Sequence, residues 1–220
     1  AELADGQISV AEVVGAAPTA SPTFTGTTTV NGNVSVDGGT IKLDGNYPVG
    51  TDNVALGNTA LDSVQSDGNY NVAIGPSALT TLTTGDDNIA IGFIALQDTT
   101  TGSDNVAVGT GSLGDNSTGG SNVAIGRLAL RSNTTASNNI AVGYQSLYAN
   151  TTGNTNTASG YASLRSNTTG SQNVSLGHEA LRSNTTADNN TAVGYQAGYV
   201  NTTGYENVAL GPRSLFTNST

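Results

Sequence analysis

Aligned on the string Asn-Val-Ala-Ile-Gly, the chain repeats itself. Asn recurs at Asn53, Asn71, Asn88, Asn105, Asn122, Asn139, Asn156, Asn173, Asn190 and Asn207, spaced by 18 residues once and by 17 thereafter. Ten copies at so short a period leave few folds open. A unit of this size cannot bury an apolar face alone and must stack on its neighbours as a solenoid. No apolar residues recur at the three- and four-residue spacing of an amphipathic helix, which excludes helical repeats.

Counting from each Asn as position 1, position 2 is β-branched in every copy, position 3 is Ala in nine, position 4 is aliphatic in nine and position 5 is Gly in all ten. Short alternating runs of β-branched residues favour extended strand, and the Gly that ends each run frees the backbone for a corner. Position 8 is Ala or Ser and position 9 is Leu in nine copies, which predicts a second short strand. Asn-Thr-Thr-Gly and its variants then supply turn chemistry. The expected fold is all-β: a parallel β-roll, or β-solenoid, of ten 17-residue coils over residues 51–220, with the last repeat incomplete. At roughly 4.8 Å per coil it is a rod of about 45 to 50 Å.

Alternation puts positions 2 and 4 on one face of the strand and positions 1, 3 and 5 on the other. With bulky side chains placed inside beside the position 9 Leu, the other face becomes a smooth strip of Ala55, Ala73, Ala90, Ala107, Ala124, Ala141, Ala158, Ala192 and Ala209. Strands apolar on both faces are normally covered on both. The simplest cover is a second copy, so the Ala strip is expected to pack a homo-oligomer. The recurring Asn is read as a structural ladder, its amide bonding from coil to coil, in preference to a ligand site.

Composition narrows the function. Sixteen acids against six bases give a net charge of −10, which argues against nucleic acid, whose phosphates must be met by Lys and Arg. There is no Cys, hence no disulfide and no thiolate metal site. No secretion signal and no apolar run of membrane-spanning length is visible. The chain opens at Ala1, contains no Met and stops within its last repeat, so it reads as a processed chain or a piece of a longer one. Residues 1–50 read as a connector and small β-shaft. Ala1 to Val14 suggests a short helix or irregular arm, and Pro18 and Pro22 interrupt regular structure. Strands are then expected at Thr27 to Val30, Asn33 to Val36 and Thr40 to Leu43, joined at Asn31-Gly32 and Asp37-Gly-Gly39.

Repeats such as Asn122 to Gly126 followed by Ala129-Leu130, and Asn139 to Gly143 followed by Ser146-Leu147, resemble the head repeats of trimeric autotransporter adhesins. Similar repeats occur in tail-fibre and other appendage proteins of bacteriophages. Gly15 to Gly26 and Thr27 to Val36 are similar to the connector and shaft segments of such fibres, which tilts the resemblance toward phage. The resemblance implies a left-handed roll, three chains side by side, and a structural protein of a virion fibre that mediates or positions host-receptor adhesion. Its implied partners are further copies of itself, other fibre or baseplate proteins and a host cell-surface glycan or protein. The alternative is the head of a bacterial surface adhesin. This repeat is longer than the usual adhesin-head repeat, the extra residues lying in the Asn-Thr-Thr-Gly turn.

Candidate chemistry is sparse. Position 6 carries Tyr144, Tyr161, His178 and Tyr195 on successive coils. This column is a candidate receptor-contact strip able to stack on sugars; ring-on-ring stacking that merely shields turns is the preferred reading. Position 10 carries Arg131, Arg165 and Arg182. From Asp52 to Asp115 the charge is −8, and from Asn116 onward about +2, an asymmetry that serves docking on an anionic surface or plain solubility. N-glycosylation sequons fall at Asn116, Asn133, Asn150, Asn167, Asn184, Asn201 and Asn218. Thr-rich turns give no flat two-column array for ice binding. Asp86-Asp87 and Glu179 read as solvated turns and not as the carboxylate pair of a polysaccharide-degrading spike. No catalytic residue, cofactor or metal site is expected.

Overall fold

The computed structural model describes residues 50–217, so the expected arm, shaft and connector of residues 1–49 lie outside the described residues. Each coil contributes one three-residue strand: β1 Val54–Leu56, β2 Val72–Ile74, β3 Ile89–Ile91, β4 Val106–Val108, β5 Val123–Ile125, β6 Ile140–Val142, β7 Thr157–Ser159, β8 Val174–Leu176, β9 Thr191–Val193 and β10 Val208–Leu210. They pair in chain order in a single parallel sheet, column on column, with Val123 opposite Ile140 and Ala124 opposite Ala141. Ten strands at one strand spacing per coil span about 43 Å. The one 18-residue step is absorbed in a turn closed by the Gly68 N–H on the Gln65 carbonyl (3.0 Å), and the register resumes in the next coil.

The position 9 segment is not a second strand. Positions 7 and 9 both take left-handed backbone, with φ from 46° at Leu181 to 57° at Leu61 for the position 9 leucines. Leu pays about 1–2 kcal/mol for that conformation. Stacking offsets it: the Leu61 and Leu79 N–H groups donate to the carbonyls of Ala78 and Ala95 on the next coil, both at 3.0 Å, and both side chains are fully buried. Where Gly198 replaces Leu, the Leu181 side chain of the preceding coil closes on the gap.

The two faces of the strand are the reverse of the sequence expectation. Ala73, Ala90, Ala107, Ala124, Ala141, Ala158 and Ala192 are completely buried within the chain, Ala209 is nearly so, and Ala55 packs against the same core. The Ala strip is therefore not an outer packing surface. The position 2 and 4 residues point outward, with Ile125, Ile140 and Leu176 each about 40% exposed (41%, 42% and 38%). Lumen width is the reason. One coil encloses the Leu of position 9, the small residue of position 8 and two Asn, and a Val or Ile added from the strand would overfill it. Ser175, the one departure from Ala, lies 2.7 Å from the Ser163 hydroxyl and donates to the Ala180 carbonyl, also at 2.7 Å, so its burial leaves no hydroxyl orphaned.

The Asn ladder is present and buried. Asn122 Oδ1 accepts from the Asn139 backbone N–H (2.9 Å) and from Asn139 Nδ2 (3.3 Å), while Asn122 Nδ2 donates to Asn105 Oδ1 (3.1 Å) and to the Ala136 carbonyl (2.9 Å). A second ladder runs at position 12, the first residue of Asn-Thr-Thr-Gly. Asn133 Nδ2 donates to Asn116 Oδ1 (2.8 Å) and to the same Ala136 carbonyl (2.9 Å). In coils 4, 5, 7, 8 and 9 both ladders thus converge on one carbonyl. The following Thr adds a third, exemplified by Thr151 Oγ1 donating to the Thr168 carbonyl (3.0 Å). The sequon asparagines Asn116, Asn133, Asn150, Asn167, Asn184 and Asn201 are these inward rungs, 0–2% exposed, so the folded chain offers them to no modifying enzyme. Asn218 lies outside the described residues.

Candidate functional site

Each corner Gly turns the chain from the outward sheet face onto a neighbouring flank, where position 6 emerges. At Gly126 φ is +128°, and a Cβ built there would lie 2.7 Å from the Gly143 carbonyl oxygen, so coils approach too closely for a side chain. The position 6 rings consequently stack at nearly the coil spacing. Ring centroids of Tyr144 and Tyr161 are 5.4 Å apart, those of Tyr161 and His178 4.9 Å, and those of His178 and Tyr195 5.4 Å, with interplanar angles of 19°, 14° and 31°. The Arg127 guanidinium caps the Tyr144 end (5.7 Å) and Arg213 the Tyr195 end (5.9 Å).

This geometry answers the sugar-stacking expectation. Every face in the column is taken by a neighbouring ring or a guanidinium, so the strip cannot stack on a pyranose face. It presents edges, namely phenol hydroxyls and imidazole nitrogens. The rings stack on one another along the column.

Position 10 forms a second column alongside. Arg165 lies over the Tyr148 ring (5.5 Å), Arg182 over Tyr199 (5.6 Å), and Tyr199 stacks on Phe216 (5.2 Å). Reading position 10 for arginines alone passes over Tyr148, Tyr199 and Phe216, which the same column contains. It also omits Arg127 at position 6 and Arg213 at position 7. Position 7 lies between the two columns: Arg165 Nε of position 10 donates to Gln145 Oε1 (3.0 Å), while within position 7 Arg213 Nε donates to Gln196 Oε1 (3.2 Å) and Gln196 Nε2 to Glu179 Oε2 (2.8 Å).

The three predicted arginines differ in their surroundings. Arg131 pairs with Asp115, and Arg182 pairs with Glu179 at 3.2 Å. Glu179 is also 3.8 Å from His178 Nδ1. Among the described residues no carboxylate lies within ion-pair distance of Arg165, Arg127 or Arg213.

Other expectations resolve simply. Asp86 Oδ1 accepts from the Asn69 backbone N–H at 2.7 Å, a structural rung, while Asp87 sits exposed in a left-handed turn. Among the described residues no group of three or more His, Cys, Asp or Glu is placed to hold a metal, and no helix is long and apolar enough to cross a membrane. Compared with known proteins, the chain matches no family model, no curated protein and no solved structure.

Proposed function

We propose that the chain is a segment of a structural fibre, of a phage tail or a similar appendage, which assembles as a homotrimer and carries or positions a host-receptor contact. One observation carries this reading: the outward face of the sheet. Of its twenty position 2 and 4 residues, seventeen are Val, Ile or Leu, the exceptions being Thr157, Ser159 and Thr191. The stripe is about 43 Å long and about 7 Å wide between its two columns. Its footprint, on the order of 300 Å², is that of the largest apolar patch on an ordinary monomer, a patch that is often functional. A rod whose flat side demands sister rods is suited to a multichain fibre, in which repeated weak contacts gain avidity.

The same support extends to the alternative, the head of a bacterial trimeric surface adhesin. A membrane-barrel anchor in the flanking sequence would select that reading. The expected location is therefore the virion, or in the alternative the bacterial surface. Light scattering tests the assembly: the purified chain is expected at three times 21.9 kDa, and Ile125→Lys with Ile140→Lys is expected to yield folded monomers. A wild-type protein monomeric at all concentrations refutes the proposal.

A further inference from the structure

We propose that the arginine face of coils 5 to 10 binds a linear acidic polysaccharide, laid along the solenoid axis with its carboxylates on Arg127, Arg165 and Arg213. The inference rests on the adhesion reading in that it names the chemistry of the receptor contact. It starts from charge segregation. The chain as a whole carries −10, yet all five arginines of the described residues fall on three adjacent columns of one flank. Two of them are neutralised by Asp115 and Glu179. The other three have no carboxylate partner among the described residues.

Two of the three are also held ready. Arg165 spends its Nε on Gln145 and rests on Tyr148. Arg213 spends its Nε on Gln196 and rests on Tyr195 and Phe216 (5.9 and 5.3 Å). With Nε occupied and the plane fixed on a ring, the terminal nitrogens are the remaining donors, in the fork that matches a carboxylate. A guanidinium immobilised in advance loses little freedom when it binds.

Spacing selects the ligand. Arg127, Arg165 and Arg213 belong to coils 5, 7 and 10, two and three coil steps apart, or about 10 and 14 Å measured along the rod axis, and stand in the neighbouring columns of positions 6, 10 and 7. One coil step is close to the advance of one pyranose in an extended polysaccharide. Carboxylates borne on every second sugar would meet Arg127 and Arg165 in turn, with the nearest carboxylate to Arg213 one sugar, or about 5 Å, from that coil. The Tyr144, Tyr161 and Tyr195 hydroxyls, edge-on in the adjoining stack, offer partners for the intervening sugar hydroxyls. A nucleic acid strand fits worse, because its charges are denser than three free cations answer and the net negative protein repels it.

The test uses the full chain and calorimetry against hyaluronate oligosaccharides, which carry one carboxylate per disaccharide, with neutral dextran and single-stranded DNA as comparisons. Hyaluronate is expected to bind, more weakly as salt rises, and dextran is not. The triple variant Arg127→Gln, Arg165→Gln, Arg213→Gln is expected to lose binding at least tenfold (about 1.4 kcal/mol) while keeping its melting profile. Arg131→Gln, whose guanidinium is already paired, is expected to change it less than threefold. No hyaluronate binding by folded protein, equal binding of dextran, tighter binding of DNA, or an unaffected triple variant would each overturn the proposal. Adhesion to a panel of bacterial cells separates the two readings. Adhesion that survives the triple variant sinks the glycan site and spares the fibre, whereas hyaluronate binding without adhesion does the reverse.

Discussion

Replacing Asn122 by Ala tests whether the inward ladder holds the coils together. Asn122 is completely buried, and its side chain makes four hydrogen bonds, two accepted from Asn139 and two donated to Asn105 and Ala136. The largest loss is the Asn139 backbone N–H, left buried without an acceptor, at roughly 1–3 kcal/mol. The Ala136 carbonyl keeps its bond from Asn133, so its loss is small. The amide bond to Asn105 adds on the order of 1 kcal/mol. The expected cost is about 3 kcal/mol in urea unfolding, a large share of the stability of an ordinary domain. Because each coil leans only on its neighbours, the damage is local. Hydrogen exchange should show lost protection at Asn139 and the amides of the coils beside it, with coils 1, 2, 9 and 10 spared. Asn154→Ala is the control. Its Oδ1 accepts from the Ser137 N–H at an exposed site, where water takes over, so its cost is expected within about 0.5 kcal/mol. A cost for Asn122→Ala as small as the control's, or protection lost evenly along the rod, refutes the reasoning.

Three further substitutions probe the strand faces and the corners. Ala124→Phe is expected to unfold its neighbourhood, at about 3 kcal/mol or more by overfilling the lumen, whereas Ile125→Lys should retain the circular dichroism spectrum and reduce the mass seen by light scattering; the opposite pattern would put Ala outside after all. Gly126→Val forces a side chain into φ +128° and against the Gly143 carbonyl, and a thermal melt should fall by the equivalent of about 3 kcal/mol. Gly120→Asn should stabilise. At position 16 the backbone N–H of one coil donates to a side chain one coil on, as Asp86 N–H does to Ser103 Oγ (3.0 Å) and Ser137 N–H to Asn154 Oδ1 (2.8 Å), and Gly120 leaves that ladder without a rung beneath Ser103. The added acceptor and the stiffer unfolded chain are worth about 0.5–1 kcal/mol, provided the Ser103 carbonyl yields slightly to a Cβ at 3.1 Å; an unchanged urea midpoint counts against it.

The fold was legible where the signal is periodic and one-dimensional. The period, the parallel strand at positions 2 to 4, the Gly corner and the Asn ladder all follow from columns that repeat with the coil. What periodicity does not contain is the width of the lumen. Alternation tells which residues share a face but not which face turns inward, and Ala124 against Ile125 is decided by how much room Leu130 leaves. The left-handed leucines were hidden for another reason, since Leu on its own avoids that region and only coil-on-coil bonding makes it tolerable. Asn133 read as a turn residue because Asn-Thr-Thr-Gly is turn chemistry, and its inward direction is a property of the closed coil. Of the candidate site, the Tyr144 to Tyr195 column was legible in full. The Arg165 platform was half legible, because the ring beneath it stands seventeen residues away in the same column.

Uniformity of a column carries a meaning of its own in such a rod. Inside, each uniform column has a neighbour that demands it: Gly at the corner because the next carbonyl would strike a Cβ, Leu because the lumen has one large slot, Asn because its amide completes the coil. Where solvent alone sets the terms, the column wanders. Position 6 runs from Asn58 and Pro76 through Phe93, Thr110 and Arg127 to the rings, and ends at Pro212. Positions 2 and 4 face outward like position 6, yet they are almost as uniform as the core. Among the described residues nothing packs on this face to require Val or Ile, since a solvated strand face accepts Thr, Lys or Glu. On the proposed fibre reading their constancy marks a neighbour, and because the columns keep one chemistry from coil to coil, a cover with the same period, another copy of the rod, would satisfy them all at once.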